Sequence, residues 1–93
     1  HYSPKTKVLL NQKKYIAGSA CLSFGKLPIA FKNCKHNFNL SLSGNLFEAS
    51  HLLYEGLRYL DKFDLKFIQV LPIPSIGIGK ALNDRLKRAS FNE

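Results

Sequence analysis

A chain of 93 residues that is 45% hydrophobic and 22% charged has globular composition, which excludes wholesale disorder and fits one domain with a modest core. Fourteen lysines and arginines against six acids give a net charge of +8. No apolar run approaches the ~20 residues that a membrane-crossing helix needs, so no membrane partner is expected.

His1 to Thr6 reads as a linker, because Pro4 fixes its own φ and pushes Ser3 towards extended geometry. Val8 to Leu10 is a short strand candidate. Ile16 to Phe24 is apolar with small residues and stops at Gly25, which predicts a second, well-buried strand. Leu27 to Phe31 is expected as a short edge segment, since Pro28 forfeits a ladder hydrogen bond. Asn37 to Leu42 alternates, with Phe38, Leu40 and Leu42 on one face of a half-buried strand.

The spacing predicts a helix over 45–63. Asn45 suits the N-cap, and Glu48 is placed to reach back to its amide. Leu46, Ala49, Leu53, Gly56, Leu57 and Leu60 share one face, with His51 opposite on the solvent side. Gly56 costs about 1 kcal/mol relative to alanine inside a helix, and its place on the apolar face predicts close packing on a sheet. Asp61 to Asp64 should end the helix. Leu65 to Ile73, closed by Pro72 and Pro74, has a central-strand pattern. A second helix over 79–90 turns Leu82, Leu86 and Ala89 inward, with Asp84 and Arg88 paired at i,i+4 and Lys87 and Arg88 at its negative end. Helix, strand and helix joined by short links make the working unit of an α/β sheet protein.

Charge is unevenly spread. Residues 1–44 hold seven lysines and no acid, whereas from Asn45 onward seven basic residues nearly cancel six acidic ones. A one-signed half suits phosphate, which keeps nucleic acid among the candidate partners. Lysine outnumbers arginine, however, and the bidentate arginine fork is what base and phosphate recognition favours.

Motifs for chemistry mostly fail. Pro74 to Lys80 joins a strand to a helix start, but Pro74 stands where a Walker loop needs glycine, and Ala81 where it needs Ser or Thr. Leu82 occupies the third glycine of the dinucleotide fingerprint. A glycine turn that lets the helix pack closely is the simpler reading, beside weak anion binding at Gly77, Gly79 and Lys80. Cys21 and Cys34 match no metal or redox spacing, and Cys34 with His36 has no second ligand pair, so no metal is expected. Cys21 is expected as a buried free thiol, and reduced cysteines fit a cytoplasmic setting. Glu48, Glu55, Asp61, Asp64 and Asp84 read as helix punctuation or solvated positions. No nucleophile, base or metal set emerges, so no catalytic residue is assigned.

The block from Leu40 to Ser90 resembles the C-terminal domain of the long-form threonylcarbamoyl-AMP synthases. The similarity rests on Asn45, Glu48-Ala49, Leu53-Tyr54, Leu57-Arg58-Tyr59-Leu60-Asp61, Gly77-Ile78-Gly79-Lys80-Ala81 and Asp84-Arg85-Leu86. His1-Tyr2-Ser3-Pro4 looks like the motif that closes the family's interdomain linker. The resemblance implies a small Rossmann-like, mostly parallel sheet of four to five strands with two main helices, 45–63 and 79–90. It also implies that 1–6 ends the linker and that 7–93 is an accessory domain, with no methionine anywhere in what is then a piece of a longer chain. The family's usual helix between the first two strands does not fit, because Asn11 to Tyr15 is shorter than the dozen or so residues of a parallel crossover. Those two strands are expected to pair antiparallel, or one of them to stand off the sheet.

In the family, a YrdC-type catalytic domain joins ATP, threonine and bicarbonate into threonylcarbamoyl-adenylate, which feeds the threonylcarbamoyladenosine modification of tRNA. The resemblance therefore implies ATP with magnesium for that catalytic domain, which is absent from this chain, and no cofactor here. It places His1, Tyr2 and Pro4 in an active-site lid, with the catalytic domain as partner and the present domain silent alone. The alternative reading is a basic RNA-binding module that recruits tRNA.

Overall fold

The computed structural model describes residues 2–91. In chain order the elements are β1 (Lys7–Leu9), β2 (Ala20–Ser23), a single 3-10 turn (Ile29–Phe31), β3 (Asn37–Asn39), α1 (Leu46–Asp61), β4 (Phe67–Val70) and α2 (Ile78–Ser90). The strands form one four-stranded sheet in the order β1-β4-β2-β3, and every pair is parallel. The mostly parallel α/β architecture with two main helices is thus observed.

Side chains alternate across the sheet as the two-residue period requires. Ala20, Leu22, Ile68 and Val70 join Leu53, Leu57, Leu60, Leu82 and Leu86 in the main core, which places both helices on one face. Cys21 and Leu71 point the other way and pack with Phe31 in a smaller cluster under loops. Each fully buried leucine contributes roughly 1.5–3 kcal/mol.

Four local expectations are corrected. Ile16 to Ser19 is a turn rather than strand, closed by the Ser19 amide on the Ile16 carbonyl at 3.1 Å with Gly18 at φ +86. The stretch Leu27 to Phe31 contains the 3-10 turn, Ile29–Phe31, and no edge strand, because Pro28 caps the turn and the Phe31 amide bonds back to the Pro28 carbonyl at 2.9 Å. Leu42 lies beyond the end of β3 and is 75% exposed, whereas Leu40 is buried. The first two strands neither pair antiparallel nor leave the sheet, since β4 lies between them and pairs parallel with both.

That last arrangement has a specific cause. The ten residues Leu10 to Ser19 link β1 to β2 across the helix-free face of β4, with no helix. Such a link must satisfy its own backbone groups. The Gln12 amide donates to the Val70 carbonyl at 2.9 Å. The fully buried Gln69 side chain accepts from the Ile16 amide at 2.9 Å and donates to Gln12 Oε1 at 2.9 Å and the Lys14 carbonyl at 2.8 Å. One amide side chain therefore does what a crossover helix does in longer units.

At the start of α1, the Asn45 side chain accepts from the Glu48 amide at 3.0 Å, as an N-cap should. Glu48 does not reach back to the Asn45 amide. Ser41 stands between them, its hydroxyl accepting from the Asn45 amide at 2.8 Å and donating to Glu48 Oε1 at 2.6 Å. Gly56 faces the sheet so closely that a Cβ there would lie 2.8 Å from Phe38 Cδ1 and 3.0 Å from Leu22 Cδ1. In α2, Leu82, Leu86 and Ala89 are buried, and Arg88 donates to Asp84 at 2.6 Å.

Candidate functional site

The chain from Tyr2 to Thr6 has no regular structure, yet it is fastened to the end of α1. Asp61, the last residue of that helix and 7% exposed, accepts four hydrogen bonds from it. The Tyr2 hydroxyl donates to Oδ2 at 2.6 Å and the Lys5 amide to the same oxygen at 3.1 Å. The Thr6 amide and hydroxyl donate to Oδ1 at 2.9 and 2.6 Å. Pro4 is fully buried between these contacts, and the Arg58 guanidinium lies 5.9 Å from the centre of the Tyr2 ring. Lys5 also reaches Asp64 at 3.9 Å, but both side chains are well exposed and such a pair contributes little.

The electrostatics follow from this geometry. Burial pushes the Asp61 carboxyl up, but the bonds from the Thr6 and Tyr2 hydroxyls and from the Thr6 and Lys5 amides outweigh it and hold the group below its ordinary range. Tyr2 is pushed up to about 12, first by desolvation, then by its hydrogen bond to Asp61 and the charge there, against a smaller opposing effect of Arg58. The clasp is a buried carboxylate with its proton donors in place. It offers no nucleophile or general acid, and what it can do is hold a segment in position.

Asp61 does end the helix, as expected, but it is also buried and holds the clasp, which the punctuation reading missed. A signal did exist in the sequence. A carboxylate at a helix C-terminus faces the negative end of the macrodipole, which is unfavourable unless donors compensate. Thr6 carried no such signal. Of the expected lid residues, Tyr2 and Pro4 are brought together here, and His1 lies outside the described residues.

Gly77, Gly79 and Lys80 lie elsewhere, at the start of α2. Gly77 is the N-cap at φ +52, and the Gly79 and Lys80 amides already donate to the Ile76 and Gly77 carbonyls at 2.8 and 3.1 Å. A Cβ on Gly79 would fall 1.8 Å from the Pro74 carbonyl oxygen, so this glycine is required by close backbone approach. A hollow of about 400 Å³ beyond the carboxyl ends of β1 and β4 is lined by residues that include Asn11, Asn83 and Lys87, but not by these three.

Cys21 is a buried free thiol, its pKa raised by burial and by its hydrogen bond with the Cys34 thiol. Among the described residues no group of three or more His, Cys, Asp or Glu converges as a metal would require. His51 is exposed, 4.6 Å from the Phe47 ring. No helix among those residues is long and apolar enough to cross a membrane.

The family model for the C-terminal domain of threonylcarbamoyl-AMP synthase matches residues 1–90. That match runs from the clasped segment through both helices, and the chain belongs to the threonylcarbamoyl-AMP synthase C-terminal domain family.

Proposed function

We propose that this domain is the non-catalytic accessory part of a cytoplasmic threonylcarbamoyl-AMP synthase, and that it holds the segment around His1, Tyr2 and Pro4 as a lid on a YrdC-type catalytic domain. The observation that carries the reading is the Asp61 clasp, which ties Tyr2, Lys5 and Thr6 to the C-terminal end of α1. A lid is useful only if its hinge end is fixed. Four hydrogen bonds to one buried carboxylate supply that fixed end.

The chemistry gives such a lid a purpose. Threonylcarbamoyl-adenylate is a mixed anhydride that water destroys, and closure over the active site excludes water. In this reading ATP and magnesium are used by the catalytic domain, and this domain contributes the lid. The activity of the whole enzyme on ATP, threonine and bicarbonate, for tRNA modification, is part of the same proposal.

The test is kinetic and uses the full-length synthase. Asp61→Ala and Tyr2→Phe are expected to lower adenylate synthesis, or to raise ATP hydrolysis that yields no adenylate, with Asp61→Ala the more severe. Unchanged synthesis and unchanged coupling in Asp61→Ala would remove the lid role.

A further inference from the structure

A second hollow, of about 290 Å³, opens at the amino-terminal ends of β2, β3 and β4 and shares no wall residue with the clasp. Its walls include Tyr15, Ser19, Asn33, Lys35, His36 and Leu65. Two independent observations distinguish it. The first is Ser19, 2% exposed, whose hydroxyl is the one buried side-chain polar atom without a hydrogen-bond partner among the described residues. A buried hydroxyl left alone is costly, and it provides both a donor and an acceptor. The second is the His36 ring, which stacks on Phe63 with centroids 4.1 Å apart and planes 30° from parallel. Tyr59 braces Phe63 edge-on at 5.2 Å, so the wall is a supported aromatic plane.

The surroundings are cationic. Lys35 lines the hollow, and the Lys66 amide donates at 3.0 Å to the carbonyl of Gly18, another wall residue. Lys62 places its ammonium 4.8 Å from the Tyr59 centroid and 5.6 Å from that of Phe63. Asp64, next in the chain to Leu65, is turned to Lys5. An aromatic plane, an unsatisfied donor and acceptor, and a rim of lysines suit a flat polar heterocycle joined to phosphates. An apolar ligand would leave Ser19 unsatisfied, and a small carboxylate would not use the stacked rings.

We propose that this hollow receives an unstacked base of a single-stranded nucleic acid, with the base against the His36–Phe63 pair and the flanking phosphates on Lys35 and Lys66. Stacking on aromatic side chains beside a basic track is the general means of holding single strands. This proposal is independent of the lid role and uses none of its residues.

The experiment is fluorescence anisotropy of the chain with end-labelled ten-nucleotide poly(A), as RNA and as DNA. Saturable binding is expected, weakening roughly 20-fold between 50 and 200 mM salt if about three phosphates are engaged. His36→Ala should weaken it roughly 5- to 150-fold, as loss of one stacked base does. His36→Phe, which keeps the plane, should stay within a few-fold of the parent. Ser19→Ala removes an unpartnered hydroxyl, so the fold should survive while affinity falls several-fold. Lys80→Ala, at the far end of the molecule, removes one charge and should change little. A preference for RNA over DNA, or none, distinguishes the source while supporting the slot. The proposal is overturned by an absence of binding at 50 mM salt, by parental affinity in both His36→Ala and Ser19→Ala, by equal binding of duplex, or by AMP competing at concentrations equal to the decamer.

Discussion

The Tyr2 hydroxyl lies 2.6 Å from Asp61 Oδ2, across 59 positions of sequence. The donor is a phenol whose loss of a proton would put two negative charges in contact, which is why burial and the carboxylate together push Tyr2 to about 12. Spectrophotometric titration at 295 nm should therefore show one tyrosine ionising about two units above the ordinary value near 10. Asp61→Asn removes the charge and should bring that titration back down. A Tyr2 that ionises near 10 in the parent protein would mean that the contact does not persist in solution. In linkage terms, a raised folded-state pKa contributes stability that is complete below pH 10 and is lost as pH rises through about 12.

Asp61 has the opposite sign. Its folded-state pKa is lowered, so its contribution is present above the unfolded value of about 3.9 and disappears as pH falls through the lower folded value. Chemical denaturation at pH 7 should show Asp61→Ala less stable than the parent by about 2–3 kcal/mol, since Thr6 and Tyr2 lose a charged acceptor. Measured again near pH 2, the gap should shrink markedly. A gap that is constant from pH 7 to pH 2 would show that packing rather than the charge matters there.

Gln69 governs the other face of the sheet. Its three hydrogen bonds to Gln12, Lys14 and Ile16 hold the helix-free link from β1 to β2. Gln69→Leu is of similar size but leaves two backbone groups, the Ile16 amide and the Lys14 carbonyl, without their partner. The expected loss is about 2–4 kcal/mol, with hydrogen exchange accelerated at the Ile16 amide before the core strands. Unaltered protection at Ile16 would show that the link stands without the clip.

How far the sequence discloses this fold depends on the range of the interaction. The helix over 45–63 was legible because Leu53, Leu57 and Leu60 repeat at helical spacing after an Asn45 cap, and every one of those signals is local. β4 was legible as an apolar run. Its position between β1 and β2 was not, because the rule against short parallel crossovers assumes a link that must satisfy itself, and Gln69 supplies those bonds from 53 positions away. The same applies to the site. Tyr2 and Pro4 were marked by resemblance, whereas Asp61 and Thr6 meet only once the chain is folded, and a threonine in a linker has no periodicity to reveal it. Ser41 illustrates the middle range. The capping residues were found, but the hydroxyl that relays between them lies before the helix and outside the usual capping pattern.

Gly79 tests the packing of α2. Alanine favours a helix interior by about 1 kcal/mol over glycine, so propensity alone forecasts that Gly79→Ala stabilises the protein. Geometry forecasts the reverse, because the new Cβ would fall 1.8 Å from the Pro74 carbonyl oxygen, a backbone atom that cannot rotate away. Relief requires α2 to shift against the turn, and α2 carries Leu82 and Leu86 into the main core. Strain of this kind should outweigh propensity, giving a net loss of about 2–4 kcal/mol in chemical denaturation. Gly56→Ala is the informative comparison. Its Cβ would meet the Phe38 ring at 2.8 Å and the Leu22 methyl at 3.0 Å, side chains that are able to yield, so its loss should be the smaller. A Gly79→Ala protein as stable as the parent would show that the turn from Pro74 to Gly77 moves freely, and that the glycine is not needed for the helix to pack.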